Sequence, residues 1–396
     1  MRAPLQGIRV VDLSRVLAGP WASQLLADLG ADVVKIERPG QGDDTRQWAP
    51  PASDNGTAAY FLATNRGKRS LTLDITRAEG QAIVRQLVAE ADVLIENYKV
   101  GGLAKYGLDY ASLSAVNPRL VYCSVTGFGQ DGPYADAPGY DYIVQGMSGL
   151  MSITGPADGE PHKVGVAVTD LFTGLYAANA VQAALLERAT SGRGAHVDMA
   201  LFDCSLAMLA NVGMNWLVGR TVPPRLGNAH PNIVPYQVFA SADGHFILAC
   251  GNDRQFAAVC AVIGRPELAS DTRFARNPDR VAHRDALTAQ LADAFATRGR
   301  DEWLALLDEA GVPCGPINTV DEAFADPQAV ARGMSFAFDD GAGGTLPQIA
   351  CPLVIDGERV RAGRRPPKLG EHSDEVLAAL GYGERDIEGL RRDGVI

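Results

Sequence analysis

The sequence lacks the short motifs that mark several common classes of protein. None of the six cysteines stands in a Cys-x-x-Cys pair, so neither a zinc site nor a dithiol redox site is indicated. There is no His-Glu-x-x-His, no Gly-x-Ser-x-Gly and no Gly-x-x-x-x-Gly-Lys-Ser/Thr pattern. The sequence therefore contains none of the usual signatures of metal-dependent hydrolysis or of serine-based acyl transfer. We expect no metal site and no tightly bound cofactor.

Long apolar runs are also absent. The best candidate, Val164–Leu186, contains Asp170 and Asn179, and it falls short of the roughly 18 uninterrupted apolar residues of a membrane span. Near the start of the sequence, Asp12 and Arg15 interrupt the apolar stretch that a signal peptide needs. We expect a cytoplasmic protein that does not enter a membrane, with an organellar location after processing as the alternative.

Positive charge is scarce. The chain has 36 Lys and Arg against 47 Asp and Glu, which gives a net charge of −11. A general nucleic-acid binder would be basic, so we expect no nucleic-acid partner. Residues 1–110 nevertheless contain as many bases as acids, and some of these bases form short runs. Such runs fit either a solvated surface or a local anion site on an acidic protein; they comprise Arg66, Lys68, Arg69, Lys99 and Lys105.

The hydrophobic pattern of the first 200 residues alternates between strands and helices, which predicts an α/β fold with a parallel sheet. The predicted strands are Ile8–Leu13, Ala31–Ile36, Ser70–Ile75, Asp92–Glu96, Leu120–Val125 and His196–Leu201. The predicted helices include Ala22–Leu29, Thr76–Ala91 (with Thr76 as a possible cap), Asp170–Ala189 and Phe202–Val218. The proline-rich stretch Thr221–Pro235 is typical of a linker and predicts a smaller mixed domain after it. Asp243-Gly244 predicts that this domain begins with a β-hairpin.

One glycine motif resembles a dinucleotide fingerprint. Gly127-Phe-Gly-Gln-Asp-Gly132 fits Gly-x-Gly-x-x-Gly and follows a predicted strand. A nicotinamide site also needs a helix that opens at the last glycine, and Pro133 and Pro138 exclude one here. A glycine loop at a strand end can still line a ligand cleft, because clefts of α/β sheets open at that edge.

Asp170 stands where the longest predicted helix begins. A structural interpretation makes it the N-cap, whose carboxylate accepts hydrogen bonds from the free backbone N–H groups of the first helical turn. A functional interpretation makes it a carboxylate that the helix dipole keeps ionised and therefore nucleophilic. Gly174, one turn later, would then let a substrate approach the backbone. The two roles do not exclude each other.

These pieces together resemble the class III CoA-transferases, the family that includes formyl-CoA transferase and α-methylacyl-CoA racemase. The resemblance runs over essentially the whole chain and is carried by Pro4–Leu13, Gly30–Pro39, Asn65–Ser70, Glu96–Tyr98, Ser124–Gly129, Gly311–Pro316 and Leu369–His372. The family's catalytic aspartate lies in an Asp-x-x-x-Gly context, which Asp170-Leu-Phe-Thr-Gly174 matches. Non-catalytic CoA-binding proteins of the same fold remain an alternative, which the intact Asp170 motif disfavours.

The resemblance implies a fold and an assembly. The family has a Rossmann-like large domain built from residues 1–220 and 331–396 and a small α+β domain at residues 221–330. Two subunits pass through each other as interlocked rings to form a homodimer. Residue-for-residue matches place six side chains at CoA-contacting positions: Arg38, Lys68, Arg69, Asn97, Tyr98 and Lys105.

It also implies a mechanism. The Asp170 carboxylate would attack an acyl-CoA thioester, and the reaction would pass through aspartyl anhydride and aspartyl–CoA thioester intermediates before CoA reaches the acceptor acid. Backbone N–H groups of the glycine loop are candidate oxyanion donors. Coenzyme A and acyl-CoA enter as substrates.

Departures from the family pattern narrow the substrate. The racemases carry His where this chain has Tyr140, which we place among the substrate-binding residues, and no glycine-rich loop typical of formyl-CoA transferases precedes Tyr236. Within the family the chain resembles most the succinate–hydroxymethylglutarate (glutarate) CoA-transferases, with CoA transfer to other acids or racemisation as alternatives. The segments that carry this resemblance are Arg15–Pro20, Gly42–Arg46, Ile153–Pro156, Ile233–Gln237 and Gln255-Phe256. A dicarboxylate needs a cation for its distal carboxylate, and the candidates are Arg15, Arg46 and Arg225, with Arg46 first. For each arginine a structural salt bridge is an equal alternative.

Overall fold

The computed structural model describes residues 3–396, which divide into two units. Unit 1 comprises the described residues up to Ser148, together with Gly165–Leu209 and Pro327–Ile396. Unit 2 comprises Gly149–Val164 and Ala210–Asp326. The sequence pattern did not anticipate that residues 149–164 separate from the segments around them.

The helices and strands are numbered here in chain order. The strands are β1 (Arg9–Asp12), β2 (Asp32–Glu37), β3 (Lys68–Thr72), β4 (Val93–Glu96), β5 (Val121–Thr126), β6 (Ala195–Ala200), β7 (Tyr236–Ala240), β8 (His245–Ala249), β9 (Cys314–Pro316), β10 (Ser335–Asp339), β11 (Thr345–Ile349), β12 (Val354–Ile355) and β13 (Glu358–Arg359). The helices are α1 (Ala18–Asp28), α2 (Ala59–Thr64), α3 (Ala78–Glu90), α4 (Tyr110–Val116), α5 (Asp141–Met147), α6 (Leu150–Ile153), α7 (Val168–Ser191), α8 (Leu201–Met208), α9 (Ala210–Gly219), α10 (Asp253–Val262), α11 (Asn277–Ala282), α12 (Arg284–Phe295), α13 (Arg300–Glu309), α14 (Val320–Ala325), α15 (Pro327–Ala331), α16 (Ser373–Ala379) and α17 (Glu384–Arg392).

Unit 1 is built on a six-stranded parallel sheet in the order β3-β2-β1-β4-β5-β6. Successive residues of a strand face opposite sides of a sheet, and here both sides are covered. Val10 packs in the core on the side of α1 and α7, whereas Val11 packs in the core on the side of α3 and α16. The predicted parallel α/β fold is confirmed, and each predicted strand is displaced by no more than a few residues.

The strand order reverses between β1 and β4. In open parallel sheets this reversal opens a crevice beyond the carboxyl ends of the two strands, because their following segments run to opposite sides. The residues after β1, β4 and β5 therefore meet at one place, and Asp170 near the start of α7 reaches the same place.

Two local predictions are wrong. The predicted helix Phe202–Val218 is broken into α8 and α9, since Ala210 has a left-handed φ of 43°. Thr76 does not cap α3, whose N-cap is Arg77; the Thr76 hydroxyl instead donates to the Asp74 carboxylate at 2.7 Å.

Unit 2 contains the predicted hairpin, with β7 and β8 antiparallel and β9 added beside β8. Its core is aromatic: the rings of Phe239, Phe246 and Trp303 all pack against Phe295. The Trp303 indole N–H donates to the Phe295 carbonyl at 2.7 Å, which satisfies the polar end of a buried side chain.

Within residues 3–396 no single helix is long and apolar enough to cross a membrane, although the bent pair α8 and α9 reaches that length and apolarity together.

Candidate active site

A cavity of about 440 Å³ lies at the strand-order reversal of unit 1. Its walls come from the segments after β1, β4 and β5, from the residues before α5 and from Asp170. A cleft in this position is the usual ligand site of an open parallel sheet.

Asp170 is the third residue of α7, not its N-cap. The N-cap position belongs to Ala167, so the structural interpretation of Asp170 is wrong. Asp141, the first residue of α5, takes that role, because its carboxylate accepts the backbone N–H of Thr169 at 2.8 Å and of Asp170 at 3.4 Å. The Gln145 amide donates to the other Asp141 oxygen at 2.7 Å and fixes its orientation. The Asp170 side chain therefore does not cap the helix, and it lines the cavity instead.

The Asp170 carboxyl titrates near neutrality. Burial raises its pKa from 3.8 to about 7, and the neighbouring Asp141 charge adds to the rise. Burial thus opposes the expected effect of the helix dipole, and with a pKa of about 7 the protonated and ionised forms of Asp170 coexist near pH 7. A carboxylate with a raised pKa is also a stronger nucleophile once it is ionised.

Gly174 serves helix packing and not substrate approach. A Cβ at this position would lie 2.7 Å from the Ala18 carbonyl oxygen and 2.9 Å from Cδ1 of Trp21. The glycine lets α7 rest directly on the first turn of α1. The wall of the cavity at Ala18 is thereby held one helical turn from Asp170.

The glycine loop after β5 also owes two of its glycines to close packing. Gly127 and Gly139 lie back to back, and a Cβ on Gly127 would stand 2.5 Å from the Gly139 Cα. Two of the loop's N–H groups already have acceptors: Gly129 N–H donates to the Thr126 hydroxyl at 2.9 Å and Gln130 N–H to Asp198 at 3.0 Å. These two amides are not available as oxyanion donors.

Six of the predicted site residues come together. Arg15, Asn97, Tyr98, Lys105 and Tyr140 line the cavity with Asp170. Arg38 lines a neighbouring cavity of about 360 Å³, whose wall also includes Arg15 and Tyr98. The two cavities share these two side chains, so they lie side by side, and the cationic residues after β1, β2 and β4 border one or the other.

Asn97 lines the cavity, and its carboxamide is hydrogen-bonded to the backbone of Arg15. Its carboxamide oxygen accepts the Arg15 N–H at 2.9 Å, and its NH₂ donates to the Arg15 carbonyl at 2.7 Å. The side chain is committed to the backbone of the cavity wall instead of to a ligand.

Lys68 and Arg69 do not reach the cavity, and their prediction as CoA contacts is not supported. The Lys68 ammonium is fully buried and donates to Asp12, Asn65 and the Pro20 carbonyl at 2.9–3.0 Å. Burial lowers its pKa to about 8 despite the Asp12 charge. Arg69 donates to Asp32 at the amino end of β2 and to Glu375 at 3.1 Å. The cleft lies at the carboxyl ends of the strands, so Arg69 points away from it.

Arg46 and Arg225 are also engaged in structural contacts. Arg46 forms a bidentate pair with buried Glu37 at 2.8 and 2.7 Å and stacks 3.7 Å from the Phe61 ring centroid. Arg46, the first choice for the distal carboxylate, therefore does not line the cavity with Asp170, which does not support that prediction. Arg225 donates to three carbonyl groups of unit 2, those of Ser152, Pro156 and Gly159. Arg15 remains: its guanidinium is half exposed in the cavity, 3.2 Å from Asp44.

A further residue, Asp141, lines the cavity, and Tyr60 in α2 lies close enough to Asp141 and Asp170 for their charges to affect its pKa. Asp141 orients the first turn of α7, a role that the sequence pattern did not anticipate. Burial and the nearby charges of Asp170 and Asp141 raise the pKa of Tyr60 to about 12. The Tyr60 ring packs edge-on against Trp48, with 5.0 Å between ring centroids. No spacing in the sequence brings Tyr60 to Asp170, since the two lie more than a hundred residues apart.

Comparison with known proteins places the whole chain in one family. The model of CoA-transferase family III matches residues 5–373. The chain is 53% identical over 389 residues to the succinate–glutarate CoA-transferase of Agrobacterium fabrum, covering 97% of each protein. It is 42% identical over 394 residues to the succinyl-CoA:glutarate CoA-transferase of Mus musculus, covering 99% of this chain and 90% of the mouse protein.

A solved structure agrees in fold. A CAIB/BAIF family protein from Brucella suis is 54% identical and superposes with a TM-score of 0.84, covering 96% of this chain and all of that one. The motifs, the parallel sheet with its cleft and the full-length match all agree. This chain belongs to CoA-transferase family III, and it is a CoA-transferase.

Proposed function

We propose that this enzyme transfers CoA from succinyl-CoA to a dicarboxylic acid such as glutarate or hydroxymethylglutarate, with Asp170 as the nucleophile. The observation that carries the proposal is the placement of Asp170 in a cavity with Arg15, Tyr98 and Lys105. A raised Asp170 pKa and a capping role taken over by Asp141 both favour a reactive carboxylate. The names of the relatives supply the donor and the acceptor.

The reaction proceeds through two anhydrides and one thioester. An Asp170 oxygen attacks the succinyl-CoA carbonyl carbon, the C–S bond breaks, and CoA leaves as the thiolate. The thiolate attacks the Asp170 carboxyl carbon and expels succinate, which leaves an aspartyl–CoA thioester. Glutarate attacks that thioester carbon and releases the thiolate again. The thiolate then attacks the glutaryl carbon, which forms glutaryl-CoA and restores Asp170.

The cations of the site have separate tasks. We assign the distal carboxylate of the dicarboxylate to Arg15, because it lines the cavity with Asp170 while Arg46 is bound to Glu37. Arg38 and Lys105 serve the phosphates of CoA. Tyr98 and Tyr140 line the cavity between the residues assigned to the dicarboxylate and those assigned to the CoA phosphates. The local positive charge attracts an anionic ligand although the whole molecule is acidic.

The proposed enzyme works as a homodimer. Exposed apolar side chains follow α7 in unit 1, including Leu175, Tyr176 and Leu186. In unit 2, α9 exposes Met214, Leu217 and Val218. Apolar groups in such numbers on helices favour burial against a second copy of the chain.

The test is an exchange assay read by mass spectrometry, with succinyl-CoA offered to a panel of acids. We expect glutaryl-CoA or hydroxymethylglutaryl-CoA to form, and butyrate to be a poor acceptor because it has no second carboxylate to pair with Arg15. Asp170→Asn should abolish exchange, and hydroxylamine added during turnover should attack the activated Asp170 carbonyl carbon, expel succinate or CoA and convert Asp170 alone into its hydroxamate. An active Asp170→Asn variant would overturn the nucleophile, and equal rates with butyrate, oxalate and glutarate would overturn the dicarboxylate specificity.

A further inference from the structure

The segment that follows β1 holds a residue in an unfavourable backbone conformation. Val16 has a φ of 72°, in the left-handed region that β-branched residues almost never adopt. Such a conformation persists only where the surrounding structure enforces it, and it occurs preferentially at functional sites. Arg15 and Val16 both line the cavity that contains Asp170.

One side chain holds the peptide groups on either side of Arg15. The Asn97 oxygen accepts the Arg15 N–H at 2.9 Å, and the Asn97 NH₂ donates to the Arg15 carbonyl at 2.7 Å. A carboxamide matches a backbone pair in this way because it presents a donor and an acceptor side by side. Asn97 directly follows β4, so the sheet itself fixes the place of the clamp.

A buried ion pair holds the next peptide group. The Val16 N–H donates to the Asp43 carboxylate, with distances of 3.2 and 3.3 Å to its two oxygens. The Lys35 ammonium lies 2.9 Å from the same carboxylate and donates to the Ser14 carbonyl at 2.8 Å. Both side chains are fully buried, and a buried pair of this kind keeps its geometry because either partner alone would be a costly unpaired charge.

The held segment leads directly into the wall beside the nucleophile. Leu17 and Ala18 follow Val16 and line the cavity, and Ala18 packs against Gly174, one turn from Asp170. A change in the Val16 backbone would therefore move the wall against which the thioester must lie.

We propose that Asn97 and Asp43, the latter fixed by Lys35, are positioning residues that hold the strained Arg15–Val16 segment in the form required for CoA transfer. This inference rests on the proposed function. It assigns Asn97 to the backbone of the site and not to CoA.

The first experiment compares Asn97→Ala with Asn117→Ala. Asn117 also donates to two backbone carbonyls, those of Val88 and Ala91 at 2.9 and 2.8 Å, but it lies outside the cavity. We expect Asn97→Ala to lower kcat by about 10- to 100-fold, the size that one strained residue would explain. The CoA dissociation constant should change little. Asn117→Ala should leave kcat per folded enzyme unchanged, and equal kcat values for the two variants would overturn the inference.

The second experiment tests the strain itself. Glycine adopts a positive φ without penalty, so Val16→Gly introduced into Asn97→Ala should recover part of the lost kcat. A double variant no faster than Asn97→Ala would show that the clamp does not oppose strain. Should Asn97→Ala fail to fold, Asn97→Asp, which keeps the acceptor for the Arg15 N–H, is measured in its place.

A crystal structure of the Asn97 variant supplies a readout that does not depend on turnover. We expect the Val16 φ to change to a negative value or the Arg15–Val16 segment to become disordered. An unchanged Val16 conformation would overturn the inference. Absence of CoA transfer in the unmodified enzyme would instead contradict the proposed function, and the conformational readout would still decide the role of Asn97.

Discussion

The proposed role of Asp170 as nucleophile predicts how the activity depends on pH. A nucleophilic carboxylate must be ionised, and the pKa of Asp170 is raised to about 7 by burial and by Asp141. We therefore expect kcat/KM to rise about tenfold per pH unit below pH 7 and to level off above it. The measurement is a pH–rate profile for succinyl-CoA and glutarate.

The control for this profile is Asp141→Asn. The amide oxygen of asparagine can still accept from the first turn of α7, but the negative charge that raises the Asp170 pKa is gone. The midpoint should move to lower pH. A midpoint that stays in place would mean that another group controls the profile.

Asp170 also links folding to pH, with a sign opposite to that of an ion-paired carboxylate. Its pKa is about 7 when folded against 3.8 as the ordinary value, so the folded state keeps a proton that the unfolded state has lost between these two pH values. The free energy of unfolding therefore falls from about pH 4 to pH 7 and stays low above that range. We expect Asp170→Asn to be more stable than the parent by about 2 kcal/mol at pH 8, after a reduction for partial solvent screening. Urea unfolding at several pH values checks this, and the difference should vanish near pH 4.

Two lysines that look alike in the sequence should behave in opposite ways. Lys68→Met leaves Asp12 buried without its ion-pair partner, so we expect a loss of about 3–5 kcal/mol in the free energy of unfolding and little change in CoA affinity. Lys105→Ala removes an exposed charge from the cavity wall, so it should weaken CoA binding and leave stability nearly unchanged. Thermal unfolding and calorimetric titration with CoA separate the two effects. A Lys68 variant that is stable but binds CoA poorly would contradict this assignment.

At the scale of elements, the contact between α1 and α7 depends on Gly174. Its missing Cβ leaves room for the Ala18 carbonyl and Trp21, and Gly174→Ala would force these helices apart. We expect a cost of about 1–3 kcal/mol in unfolding free energy and a lower kcat, because the wall beside Asp170 moves with α1. The measurements are urea unfolding and the exchange assay.

Gly389 in α17 provides the matched control. The nearest atom to a Cβ at that position is an Arg392 side-chain nitrogen at 3.7 Å, so nothing obstructs the substitution. Gly389→Ala should stabilise the fold by about 0.5–1 kcal/mol through helix propensity alone. Equal effects of the two substitutions would contradict the packing role of Gly174.

The elements themselves were largely predictable, because strand and helix periodicities are local. The strands β1, β2, β4, β5 and β6 fall within a residue or so of their predicted places. The break between α8 and α9 was not predictable, since Ala210 carries neither a glycine nor a proline signal.

The site was predictable only in part, and the reason is again physical. Asp170 and the cavity residues Arg15, Tyr98 and Lys105 were found through motifs. A basic run shows where cations lie along the chain but not to which side of a sheet each side chain turns. Lys68 therefore could not be separated from Lys105, because its partner Asp12 lies 56 residues away.

At the scale of the whole molecule, the apolar surface of α7 predicts self-association. Leu186 is 76% exposed on a long helix of unit 1. We expect Leu186→Asp to weaken the proposed homodimer, since a buried carboxylate is costly in an apolar interface. Sedimentation of the purified enzyme at several concentrations measures the effect. Val116, exposed at 44% on α4, is the control: Val116→Asp should leave the association unchanged.

The discontinuity of unit 1 has a consequence for protein synthesis. Gly67 N–H donates to the Arg364 carbonyl and Asp74 N–H to the Val395 carbonyl, so residues beyond 327 complete the surroundings of β3. A ribosome delivers those residues only after the whole of unit 2. The nascent chain must therefore carry an unfinished α/β sheet, with the flank of β3 exposed, while more than a hundred intervening residues emerge and fold. During this interval the unfinished flank of β3 is open to aggregation, although every residue that lines the cleft with Asp170, from Arg15 to Leu201, has already been synthesised.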